Sequence, residues 1–144
     1  MGPRDLAWWV AIVAAACMSA AIIVIGARFL LAPESGAEGF GLPSEAGPFL
    51  AAKGVRDIGT GLVGAVLLTT RRFRAAGWAL IALAWIPLGD AVVVLAWDGP
   101  EILAYAMHGG TAAAMIVVGT ILVRGRARDR SPSTARETSA DAEG

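Results

Sequence analysis

Five residues carry nearly all the chemistry this chain could perform, and they are oddly placed. Lys53, Arg56, Asp57, Asp90 and His108 fall inside or at the edge of long apolar segments. Burying a charge in hydrocarbon costs on the order of several kcal/mol, so such residues are paired with one another or kept for function. On a helix, Lys53, Arg56, Asp57 and Thr60 share one face, which Gly61 and Gly64 continue. Small residues let helix backbones approach closely, which marks that face as the inward one. The formal charges of Lys53, Arg56, Asp57 and Asp90 cancel, leaving His108 as the titratable member.

Two roles fit these residue types. Lys53 and Arg56 are candidate ligand-binding residues for an anionic or carbonyl oxygen, with Asp57 as their counter-ion. Asp90 and His108 are a candidate catalytic, proton-handling pair in which the carboxylate orients the ring. The competing reading is that all five only latch the helices together, since buried ion pairs can specify packing without adding net stability. No metal is expected, because a lone histidine and two separated aspartates lack ligand number and spacing. No cofactor is expected either: Gly59, Gly61 and Gly64 lie within a helical stretch rather than in a phosphate-cradling loop after a strand. The single cysteine, Cys17, excludes an internal disulfide and is expected to be an inert buried thiol.

The elements that must position these residues are apolar helices. The 144 residues are 56% hydrophobic and carry zero formal net charge. The mean hydropathy of +0.63 is too high for an ordinary globular domain. Neutral overall charge gives no electrostatic support to a nucleic-acid role. A membrane helix needs about 20 predominantly apolar residues. The sequence predicts four spans, at about residues 6–28, 48–70, 75–97 and 101–123, in one membrane domain covering 1–123. The second is the least apolar, since it includes Lys53, Arg56 and Asp57, and Pro48 suits its first turn. The first is too long for a typical signal peptide and is expected to stay uncleaved. The fold class expected is all-α, a four-helix transmembrane bundle.

Charge outside the spans is lopsided. Arg4, then Arg71, Arg72 and Arg74, then Arg124, Arg126, Arg128 and Arg130 fall on one side, opposite Glu34, Glu38, Glu45, Asp98 and Glu101. Arg28 is the exception. Positive-inside bias predicts a multi-pass protein of the cell membrane with both termini cytoplasmic. Trp8, Trp9 and Trp78 then belong at the inner interface, and Trp97 with Tyr105 at the outer. That topology puts the five ionisable residues in one layer, about 8–14 Å below the outer ends of their helices. The loop from Arg28 to Gly47 is long for a helix connection, and Phe40 and Leu42 make it either an oily lid or a mobile connector. Residues 124–144 turn polar and are expected to form a disordered tail, whose basic start could rest on anionic lipid.

The chain resembles a family of small membrane proteins known as domain of unknown function 4267. The resemblance is carried by Ala27-Arg28-Phe29 through Pro33, Gly39-Phe40-Gly41-Leu42-Pro43 and Ala52-Lys53-Gly54-Val55-Arg56-Asp57. Pro87-Leu88-Gly89-Asp90 and His108-Gly109-Gly110-Thr111 follow in order, so that it covers about residues 24–123. It implies four predicted spans and no biochemistry. The leading expectation is therefore a membrane protein that binds a small lipophilic ligand at an outer-leaflet polar pocket. A proton- or ion-coupled transporter acting as a homo-oligomer is the alternative, though no inverted repeat is discernible. An accessory or scaffold subunit is the third. The lipid bilayer is the one partner expected under all three.

Overall fold

The computed structural model describes residues 2–41 and 47–125, and every regular element in that range is helical. Helix α1 runs Pro3–Leu31 and is followed by a short α2, Pro33–Phe40. Helix α3 is Gly47–Thr69. Then α4, Phe73–Leu83, and α5, Trp85–Ala96, form one continuous apolar rod interrupted at Ala84. A π-helical segment, Leu103–Gly109, leads directly into α6, Gly110–Gly125. The all-α class is as expected. Glu45, Leu42 and the tail from residue 126 onward, with Arg126, Arg128 and Arg130, lie outside the described residues. Arg124, expected to open the tail, is instead in the last turn of α6.

Each boundary has a local cause. Pro3 and Pro33 occupy the first turns of α1 and α2, where the missing N–H would have no helical partner. Gly41 ends α2 with φ of 94°, a left-handed conformation that suits glycine. Pro87 cannot donate to the carbonyl of Leu83, and the α4–α5 break falls one residue after that carbonyl.

Two antiparallel hairpins make the molecule: α1 packs along α3, and α4 packs along α6. Each hairpin has a crossing where two glycines face each other. A Cβ on Gly54 would lie 2.7 Å from the carbonyl oxygen of Gly26, and one on Gly119 would lie 2.7 Å from that of Gly77. Only bare backbone fits there, so dispersion contacts accumulate along the helices where lipid tails would otherwise compete. At one end an apolar cluster of Ala11, Ala15, Ala76 and Leu122 joins the hairpins. At the other, Phe29, Ala37, Phe40, Leu50, Val94 and Ala104 do the same, with α2 folded over them. Between these two clusters the hairpins stand apart.

Three of these rods are long and apolar enough to cross a membrane: Pro3–Leu31, Phe73–Ala96 and Leu103–Gly125. Their outward surfaces are covered with large hydrophobic side chains, among them Val10, Val13, Val24, Trp85, Val92 and Val117. A soluble monomer rarely exposes so continuous an apolar surface. The protein is an integral membrane protein. Helix α3 has 23 residues, enough to span, but Lys53, Arg56 and Asp57 make it more polar than the other three. Cys17 corrects its expectation: it is exposed, on the side of α1 away from the buried Ala15 and Ser19. An isolated thiol in an apolar run can face lipid as comfortably as a protein core.

Candidate functional site

The interior polar residues converge where the two hairpins face each other. Asp57 is the centre. Its side chain is 2% exposed and accepts a bond from Lys53 Nζ at 2.6 Å. Its other oxygen accepts from Arg56 Nε at 3.1 Å and Nη2 at 3.0 Å. The i, i+4 spacing of Lys53 and Asp57 brings them together on the helix surface. Asp90, on α5, meets the same two cations at longer range: its Oδ2 lies 3.9 Å from Lys53 Nζ and 3.8 Å from Arg56 Nη2. Two cations and two carboxylates thus bridge α3 to α5 with no formal charge left over, as an apolar surrounding requires.

Lys53 also stands over two aromatic faces, 4.7 Å from the Phe29 ring centroid and 4.6 Å from that of Phe40. Such contacts stabilise a desolvated cation by about 0.5–2 kcal/mol each. Phe40 in turn stacks at a tilt on His108, with ring centroids 4.5 Å apart. Phe40 closes α2, so its carbonyl has no partner within that helix. His108 supplies one: Nε2 lies 3.2 Å from the Phe40 oxygen. A carbonyl oxygen only accepts, so Nε2 carries the proton when the ring is neutral, and Nδ1 holds the lone pair. The ring is 7% exposed and sits in the last turn of the π-helical segment. Wide π turns are rare and frequent at functional sites, because the extra residue re-aims the side chains that follow.

The structure therefore brings all five residues together, with Asp57 against Lys53 and Arg56 as expected but His108 not against Asp90. Lys53, Arg56, Asp57 and Asp90 form one ionic cluster. His108 joins it through Phe40 rather than through Asp90, and no hydrogen bond or ion pair links His108 to Asp90. Arg56 has the most exposed side chain of the cluster, at 44%. Gly61 and Gly64 face Ser19 of α1, as the small-residue face predicted, and Gly54 extends the same row against Gly26.

Two contacts were not assigned from the sequence: the rings of Phe29 and Phe40 against Lys53, and the carbonyl at the end of α2 against His108. The available signal was glycine on both sides of Phe40. Gly36 packs on the Phe29 ring, and Gly41 turns the chain so that the Phe40 carbonyl meets His108. Within this loop Pro33–Phe40 is a helix packed through Ala37 and Phe40 on the apolar cluster; Leu42 lies outside the described residues.

Beside the polar cluster, between the hairpins, lies a cavity of about 620 Å³. Its walls are chiefly apolar, with Ile22, Leu68, Leu80, Ile86 and Met115 among them. Lys53, Asp57, Asp90 and His108 reach it, and so do the hydroxyls of Ser19, Thr60 and Thr111. Arg56 does not line it. Volume and lining fall within the range usual for small-molecule sites.

A family model described as Domain of unknown function (DUF4267) matches residues 19–122. The chain belongs to the DUF4267 family. The matched region contains every member of the polar cluster, both aromatic rings and the π-helical segment, and leaves out the Trp8 end of α1. No curated protein and no solved structure matches the chain. The DUF4267 match thus places the chain in its family without adding a reaction or a ligand.

Proposed function

We propose that this DUF4267 protein binds a small lipophilic molecule between its two helical hairpins, and that four helices rather than three cross the membrane. The observation that carries the reading is the cavity: about 620 Å³, apolar along its walls, with a charge-neutral polar cluster at one side. A purely structural ion cluster would be sealed by packed side chains. Here Lys53, Asp57, Asp90 and His108 border open space instead. The bound molecule lays its apolar body along the walls and turns a polar end toward Asp90 and His108. Helix α2 covers the cavity, held by the His108–Phe40 bond and by the close approach of Gly41 to Gly99. Lys53 and Arg56 balance the charges of Asp57 and Asp90, and α3 crosses the bilayer because its charges cancel within that cluster.

Native mass spectrometry of the protein, extracted from its own membranes in mild detergent, tests this reading. A bound lipophilic mass is expected on the wild-type protein and not on Ala114→Phe, which fills the cavity wall. A wild-type protein without any such mass, or a mass held equally by the filled variant, would overturn it.

A further inference from the structure

The polar groups around the cavity are unequal in what they still have to offer. All three hydroxyls already donate: Ser19 to the Ala15 carbonyl at 2.9 Å, Thr60 to Arg56 at 2.9 Å, and Thr111 to Met107 at 2.6 Å. A hydroxyl has one proton, so each of these has only lone pairs left. The ammonium of Lys53 donates to Asp57 at 2.6 Å, stands over the two aromatic rings and has Asp90 3.9 Å away. The other cation that reaches the cavity, Arg28, is an exposed residue whose Nε donates to Ser35. Two groups at the cavity hold an acceptor atom that takes no hydrogen bond among the described residues. His108 commits its Nε2 proton to Phe40, which leaves Nδ1 as a lone pair without a partner among the described residues. Among the described residues Asp90 makes no hydrogen bond, and its ion-pair contacts are through Oδ2, at 3.9 Å to Lys53 and 3.8 Å to Arg56.

From this we infer that the cavity selects lipophilic molecules that carry a hydrogen-bond donor, such as long-chain or prenyl alcohols, over ethers and carboxylates of the same shape. The inference rests on the ligand-binding reading above and adds the chemical class. A hydroxyl entering the cavity gives its proton to Asp90 or to His108 Nδ1, and its oxygen needs nothing in return that the site must desolvate. An ether or carboxylate oxygen there meets lone pairs facing lone pairs, and a carboxylate adds a third negative charge to a balanced cluster.

The chain has one histidine, so ¹⁵N-histidine labelling gives the ring nitrogens of His108 as the only ring signals. The wild-type protein in nanodiscs is titrated with 1-tetradecanol, with tetradecyl methyl ether and with tetradecanoate at matched mole fractions. Before any addition, Nε2 should be the protonated nitrogen. The alcohol should then move the Nδ1 resonance saturably, with half-saturation about tenfold below that of the ether or the carboxylate, the ratio for one hydrogen bond. A resting ring protonated on Nδ1 would overturn the inference directly. Equal saturable responses to alcohol and ether would also overturn it while leaving the binding reading intact, and a preference for tetradecanoate would move the polar contact to Arg28. If no probe changes the ring signals saturably, the binding reading itself falls, and this one with it.

Discussion

Asp57 holds more of the ionic cluster than any other side chain. It is 2% exposed and takes bonds from both cations, so neutralising it leaves Lys53 and Arg56 with only the more distant Asp90 as counter-ion. Asp57→Asn should lower stability in detergent by about 3–5 kcal/mol, the usual cost of breaking a buried pair from one side. Adding Arg56→Gln should recover part of that loss, and strictly additive damage in the double variant would show that the two residues are not partners. At His108 the relevant function is donation to the Phe40 carbonyl. His108→Gln keeps an N–H donor and should stay within about 1 kcal/mol of wild type. His108→Leu leaves that carbonyl unpaired, at a cost of about 1–3 kcal/mol. Thermal unfolding of the purified variants, followed by tryptophan fluorescence, separates the two outcomes.

At the scale of elements, the α1–α3 hairpin depends on how closely its backbones approach. Gly54 sits opposite Gly26, whereas a Cβ at Gly59 would meet nothing within 4 Å. Gly54→Ala should therefore force the helices apart and lower the unfolding temperature. Gly59→Ala should be neutral or stabilising by up to about 1 kcal/mol, because it removes only the entropic cost of a glycine in a helix. Equal effects at the two positions would contradict the close crossing. Helix α2 depends similarly on Phe40, whose ring contacts Phe29, Lys53 and His108 at once. Phe40→Ala should cost about 3–5 kcal/mol, and it should make amide hydrogens of Pro33–Phe40 exchange faster than those of α1, which the substitution leaves packed on α3.

For the whole molecule the open quantity is the number of crossings, and parity decides it. Four spans place both termini on one side of the membrane; three would place them on opposite sides. Reporter fusions at the C-terminus and after Arg72 should give a cytoplasmic signal, and insertions at Gly36 or Gly99 an external one. A C-terminal reporter on the outside would mean that α3 does not cross. The polar cluster would then have to be solvated from a membrane surface rather than balanced inside the bilayer.

Composition and patterning alone determined that the chain is all-helical and lives in a membrane, since long uncharged runs such as Leu6 to Gly26 leave water no favourable alternative. They also marked Lys53, Arg56, Asp57, Asp90 and His108, because a charge among apolar residues stands out in one dimension. Partnership between helices did not stand out, because it depends on which helix faces which. The tertiary structure alone decided that Asp90 meets the cations of α3, that His108 caps the end of α2, and that Lys53 stands over the rings of Phe29 and Phe40. The π turn was equally hidden, whereas the Ala84 break had a local cause in Pro87. The cavity is the plainest case. It is volume left between two hairpins pinned at both ends, and no single stretch of sequence encodes an empty space.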